Sequence, residues 1–441
     1  MKRQRLAGRP AHPGLGQVAA LFVALLAAGA ARAQEKAPEE ATGSDYSPPP
    51  ATAPAQVSLG GYADVGFAVA EGDGTSFAPG DTRIPADYGT DTFATAVNSR
   101  GDVASTDPHG RFVNGFLPRS MNMGGQPSFL LNTFDVDLRY ASQTAPVLLF
   151  GRFQLMPRFG AGNETRVLVE QAFARLIPFS SREFAVSIGK FDSVFGIEYL
   201  DNEANLRTNV TPSLLARYTT GQSLGIKAFY RVQLPTLWSA ISLNVAATNG
   251  GTLVETLSPP DLSLAGRPIG SARLGFEVNL PAVEIKLGLS GLYGPRNDQR
   301  GVRVHQRALG ADLRVVFGAL SFLAEGIFLE QDQGAADKAN GLGAETLVSG
   351  FAVRGAYAMA AYAVPVSDGA FRRLTPYLRF EERHARFEGF TPYTVSRLTA
   401  GVRLDLWEEL IFKAELLLNG EVSGLPSVAN NVFTSSFIYS F

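Results

Sequence analysis

The chain of 441 residues contains no cysteine, two tryptophans and four histidines, and only 18% of its side chains are charged. Without cysteine there is no disulfide framework, no thiolate metal site and no lipid-modified N-terminal Cys. The 39 basic and 41 acidic groups are too evenly matched for a nucleic-acid binder. A mean hydropathy of +0.04 is too apolar for a disordered chain. After Val57 no uninterrupted apolar run reaches the length of a membrane helix. Histidine is scarce as well. Beyond the leader only His109, His305 and His384 could act as a general base, and no local signature accompanies them, which weighs against a hydrolase. Asp73, Asp81, Asp87 and Asp91 lack the spacing of a calcium loop, so no metal or other cofactor is expected.

What is present begins with a secretion signal. Lys2, Arg3, Arg5 and Arg9 form a positive n-region, Val18 to Ala28 is a short apolar stretch, and Ala31-Arg32-Ala33 offers small residues to a signal peptidase. Cleavage after Ala33 removes residues 1–33, five basic groups and no acidic one, leaving a net charge of about −7. Residues 34–55, rich in Pro, Ala and acidic residues, read as a disordered periplasmic linker too short to be a plug domain.

From residue 56 to 441 the dominant period is two. Val57, Leu59, Ala63, Val65, Phe67 and Val69 share one face of the first such segment, with Ser58, Tyr62 and Asp64 on the other. About 16 segments of this kind follow one another, most close to the 9–11 residues that cross a bilayer obliquely. Odd-numbered gaps are long or variable, as in 70–128, 192–221, 249–270, 294–306 and 331–347, whereas most even-numbered gaps are tight, as in Pro281–Ala282 and Gly318–Ala319. Long loops at one end and short turns at the other predict an all-β, antiparallel, up-and-down transmembrane barrel of about 16 strands, with extracellular loops and periplasmic turns. Phe433, Phe437, Tyr439 and Phe441 alternate on the last strand, as an aromatic girdle would.

Three stretches carry a closer likeness: Gly60-Gly61-Tyr62-Ala63-Asp64, Gln171-Ala172-Phe173, and the run from Gly189 to Tyr199, GKFDSVFGIEY. Together they resemble the OmpL-like β-barrel porin family, and more loosely the phosphate-selective porins, over the first half of the exported chain. The resemblance implies a bacterial outer-membrane pore without catalytic residues and leaves the solute open.

Assigning faces by parity places Arg139, Arg152, Arg175, Lys227, Arg231, Arg354, Arg379, Arg397 and Arg403 among the inward basic residues. Asp64, Asp135, Asp137, Glu325, Glu381 and Glu415 are among the inward acidic ones. The full inward set has about 14 positive and about 10 negative groups, which predicts weak anion preference. The plainer reading is that these charges pair across strands and keep the lumen wet. The loop 192–221, with Glu198, Asp201, Glu203 and Arg207, is the candidate constriction. Lys190 has the wrong parity to face the lumen unless a bulge reorients it. Expected partners are outer-membrane lipid, lipopolysaccharide and small hydrophilic solutes, with a homotrimer compatible with an apolar outer face. The alternative is a receptor or adhesin acting through its loops, above all 70–128.

Overall fold

The structure is a computed structural model describing residues 56–71, 105–106, 112–113, 128–142, 145–157, 165–179, 183–192, 194–201, 203–219, 222–235, 239–249, 268–297, 303–332, 334–335, 347–348, 350–366, 371–387, 392–424 and 431–441. The expected signal peptide, the linker and most of loop 70–128, including His109, lie outside the described residues.

Sixteen antiparallel strands follow in order: β1 Gln56–Ala70, β2 Ser128–Ala141, β3 Val147–Pro157, β4 Thr165–Leu176, β5 Glu183–Asp192, β6 Gln222–Gln233, β7 Ala240–Asn249 and β8 Pro268–Asn279. The second half is β9 Val283–Asn297, β10 Arg303–Phe317, β11 Leu320–Gln331, β12 Phe351–Tyr362, β13 Arg373–Phe387, β14 Tyr393–Asp405, β15 Leu410–Ser423 and β16 Val432–Ser440. Each pairs with its neighbour in sequence, and β1 pairs with both β2 and β16, so the sheet closes on itself. A closed sheet leaves no free edge, and at this strand number the wall cannot be filled by its own side chains.

The alternation reads directly as burial. On β1, Tyr62, Asp64 and Ala68 are buried inward, whereas Val57, Leu59 and Val65 are exposed outward. Exposed aromatics ring both ends, with Phe317, Trp407, Tyr439 and Phe441 at the short-turn end and Phe129, Tyr293, Phe328 and Phe433 at the long-loop end. Strands β9 and β10 run further than their apolar alternation suggests. Their ladder continues through Pro295–His305 to Asn297–Arg303, so only 298–302 remains of the expected gap 294–306. Backbone pairing needs no lipid-facing apolar residue, which is why hydrophobic period alone ended these strands early.

The glycine motifs lie at close approaches of backbone. Gly61 exchanges two backbone hydrogen bonds with Phe441, at 3.1 and 3.0 Å, at the seam that closes the barrel. A Cβ on Gly61 would fall on the carbonyl oxygen of Asp135 from the strand on its other side. Gln171-Ala172-Phe173 and Gly189-Lys190 are cross-strand partners, Phe173 facing Gly189 and Ala172 facing Lys190. Lys190 stays on the outward face, where its Nζ donates to the Val169 carbonyl at 2.8 Å beside a bulge at Glu170.

Gly61→Ala should therefore distort the seam and cost about 1–3 kcal/mol. The check is the temperature at which the refolded barrel loses its compact band on a semi-native gel. A melting temperature equal to that of the parent would contradict the tight seam.

Candidate functional site

Between β5 and β6 the chain turns inward. Gly196 sits at φ +80°, a conformation glycine adopts without strain, and it lies so close to the Glu325 carboxylate that no Cβ fits. Its N–H donates to Ser290 Oγ at 3.0 Å, and the next N–H, of Ile197, donates to Glu325 at 3.1 Å. A short 3₁₀ turn, Glu198–Asp201, and a helical turn, Ala216–Thr219, follow within the barrel.

The rest of the loop is tied to the wall by backbone groups meeting inward charges. Glu415 accepts from the Val210 and Thr211 N–H groups, both at 2.9 Å, and from the Thr211 hydroxyl and Tyr377. Arg379 donates to the carbonyls of Thr211 and Pro212 at 2.9 and 3.0 Å and pairs with Glu381, which accepts the Leu214 N–H. Arg403 holds the Leu206 and Arg207 carbonyls at 3.0 and 3.1 Å, and Lys413 holds those of Ala204, Arg207 and Asn209. Charge-assisted bonds of this kind contribute about 1.5–3 kcal/mol each.

Apolar packing reinforces them. Phe195, Leu214, Leu215 and Tyr218 are fully buried against Ile327, Leu329, Val353 and Tyr357 on the inner face of the barrel. Each such side chain contributes about 1.5–3 kcal/mol.

The expected loop residues all lie in this arrangement. Glu203 accepts from Tyr62 at 2.9 Å and pairs with Arg152. Asp201 pairs with Arg314, and Arg207 is buried, bonded to the carbonyls of Asn209 and Val210. Glu198 stays within the loop, accepting from the Ser213 N–H at 2.6 Å and from its hydroxyl. Burial pushes the Glu198 carboxyl up from its ordinary value. A raised carboxyl favours the folded loop when protonated, and that contribution is lost as pH rises through the folded value.

The expected wall residues fall into three groups. Arg379, Arg397 and Arg403 face inward and are buried, at 2%, 0% and 8% exposure; the loop covers Arg379 and Arg403, and Arg397 donates to Asn419 on β15 at 3.0 Å. Arg152 pairs with Asp137 at 2.5 Å, Asp135 is buried, and Arg231 lies toward the short-turn end between Glu183 and Glu277. Arg139, Arg175 and Lys227 stand on β2, β4 and β6, where a cavity of about 210 Å³ separates the wall from the loop. There Arg139 lies over Phe150 at 5.7 Å, Arg175 over Phe173 at 5.1 Å and Lys227 over Phe191 at 5.2 Å.

Arg354 is a correction. It stands opposite Phe328 and His384 on the outward face, because β12 turns Val353, Tyr357 and Met359 inward. An arginine near the end of a strand can meet headgroups there, so its charge does not reveal its face. The inward rings Phe150, Phe173 and Phe191 escaped a parity reading that counted charges alone; the same parity would have found them.

Two of the three histidines once considered as bases also face outward. His305 stacks on Tyr293 with ring centroids 5.8 Å apart, and His384 bonds Thr394 at 2.9 Å. Among the described residues no group of three or more His, Asp or Glu is placed to hold a metal ion.

No protein-family model and no curated protein matches the sequence. Among solved structures, the fold is similar to that of the outer membrane channel DcaP of Acinetobacter baumannii, at 10% identity and a TM-score of 0.51, covering 88% of this chain and 98% of that one. It is also similar to a loop L8 deletion mutant of OmpT, an outer membrane protein of Vibrio cholerae, at 10% identity and a TM-score of 0.50, covering 88% of this chain and 99% of the other. At that identity the likeness is one of fold: a closed barrel of the outer-membrane type.

Glu415→Ala removes the acceptor shared by Val210, Thr211 and Tyr377 and should weaken the inward loop by about 3 kcal/mol. In the folded barrel it should open trypsin cleavage after Arg207, which the parent resists. Glu198→Gln, a mimic of the neutral form that burial favours, should retain resistance. Equal digestion of parent and Glu415→Ala would contradict the tether.

Proposed function

We propose that the protein is an outer-membrane porin passing small hydrophilic solutes by passive diffusion, with a weak preference for anions. One observation carries this reading: the inward loop leaves a cavity beside β2–β6 that is lined by Arg139, Arg175 and Lys227, inside a closed barrel of sixteen strands. Rings of basic side chains favour anions in a water-filled passage. The wall pairs Arg152 with Asp137 and Arg231 with Glu183 and Glu277 contribute wetness rather than selectivity.

The loop then acts as the constriction, with Glu203 facing the basic strands across the cavity. A solute in that gap meets cationic groups on the wall and a carboxylate on the loop, a transverse field that orders dipolar molecules. The solved neighbour described as an outer membrane channel supports the reading at the level of fold, and the expected signal peptide supports export. The three motifs keep the OmpL-like porin family as the proposed relationship. Outer-membrane lipid, lipopolysaccharide and the diffusing solutes are its proposed partners, and a homotrimer is the proposed assembly.

Purified protein in a planar bilayer should show steady open steps. Under a salt gradient its reversal potential should favour anions, and replacing Arg139, Arg175 and Lys227 with glutamine should shift the permeability ratio toward cations by roughly fivefold, the effect of about 1 kcal/mol. A silent barrel would contradict the channel, and a cation-selective parent would contradict the preference.

A further inference from the structure

The lumen does not account for the outer face of β8–β13 near its long-loop end. Gly270 and Ala272 on β8 stand opposite Tyr293 and Gly291 on β9, which in turn stand opposite Arg307 and Leu309 on β10. Three adjacent positions with no more than a methyl group, walled by Tyr293, Leu309 and Phe328, leave an apolar groove of about 690 Å³ on the outside of the barrel. Tyr293 and Leu309 are 62% and 67% exposed, so no described residue covers the groove.

Its edge is cationic. Arg307 lines the groove and pairs with Glu330 at 2.9 Å. Arg354 stands beside Phe328, and Arg386 lies two ladder pairs closer to the strand end, opposite Ala352. Both are exposed and neither forms an ion pair with a described residue. Among the described residues the carboxylates on this part of the face are Glu330, already paired, Asp332, which acts on Arg307 just beyond the end of β11, and Glu382, opposite Ala356. Guanidinium groups facing a membrane are costly unless they reach an anionic headgroup, and long side chains near a strand end can extend to that level. Tyr293 and Phe328 belong to the aromatic girdle, which places the groove and the arginines at the boundary between acyl chains and headgroups.

An apolar trough next to unneutralised arginines at that depth is complementary to an anionic lipid. We propose that this face binds a phosphorylated glycolipid of the outward leaflet. An acyl chain lies over Gly270, Ala272 and Gly291, and a phosphate is held by Arg354 and Arg386, whose planar guanidinium groups suit its oxygens. The site rests on the outer-membrane reading above and is independent of conduction.

The test is native mass spectrometry of the refolded chain incubated with bisphosphorylated lipid A, with dephosphorylated lipid A, with phosphatidylcholine or with inorganic phosphate. The chain should retain a single bisphosphorylated lipid A in preference to the other three. Arg354→Gln with Arg386→Gln should weaken retention about thirtyfold, the effect of two arginines near an anionic surface. Gly291→Leu, which fills the trough, should weaken it too, and both variants should conduct as the parent does because the residues face away from the lumen. A barrel that retains lipid A yet stays silent would count against the channel alone. The proposal is overturned if bisphosphorylated lipid A binds no better than phosphatidylcholine, if the double substitution changes nothing, or if the chain forms lipid-free oligomers that Gly291→Leu dissociates, which would make this face a protomer contact.

Discussion

The arrangement depends on the pairing of loop backbone with charged side chains inside the barrel. Closing a sheet of sixteen strands sends alternate side chains inward, and the space they enclose is too wide for them to fill. Each inward charge then needs water or a partner, because an isolated buried charge is prohibitively costly. On β11–β15 the partner is the loop. Its N–H groups meet Glu325, Glu381 and Glu415, and its carbonyls meet Arg379, Arg403 and Lys413. The loop in turn has little regular structure of its own to satisfy those backbone groups. Each side answers the other's need, which is why an irregular segment can sit inside a membrane barrel.

This pairing divides the lumen. On the β11–β15 side, apolar and charged contacts with the loop leave Thr399 and Glu381 without exposure. On the β2–β6 side the loop presents Tyr199, Leu200, Glu203 and Leu206 across a gap, and the wall presents cations interleaved with phenylalanine rings. Phenylalanine rings lie against these guanidinium and ammonium groups and hold them in place along the wall. The asymmetry follows from where the loop's apolar residues find a matching inner wall: Ile327, Leu329 and Val353 offer one, whereas Arg152, Arg175 and Lys227 do not.

Much of this was legible in the sequence, for physical reasons that also mark where legibility ends. A membrane barrel imposes period two on every strand and a length rule on every turn, so strand number, order and closure could be read from alternation and gap parity. Strand ends could not, as the ladder through Pro295–His305 shows, because pairing outlasts the apolar signal. The inward turn of 192–221 was suggested by Glu198, Asp201, Glu203 and Arg207, yet its strongest apolar contacts come from Phe195, Leu214, Leu215 and Tyr218, which in sequence resemble any loop residues. Parity misplaced Arg354 because Phe351, Val353, Tyr357 and Met359 read as a lipid face, whereas on this strand the bulky apolar set turns inward. The Gly60-Gly61, Gln171-Ala172-Phe173 and Gly189–Tyr199 motifs look unrelated along the chain. In the fold they mark the barrel seam, a cramped strand pair and the root of the loop.

Because the chain has no cysteine, a single introduced thiol reports its own surroundings without background. The most direct measurement is the rate at which a charged, water-soluble thiol reagent blocks current through Arg139→Cys and Thr399→Cys, both inward but on opposite sides of the loop. Rapid block at 139 with no reaction at 399 is the result predicted for a passage confined to the β2–β6 side. Equal rates at the two positions would show that the loop does not divide the lumen.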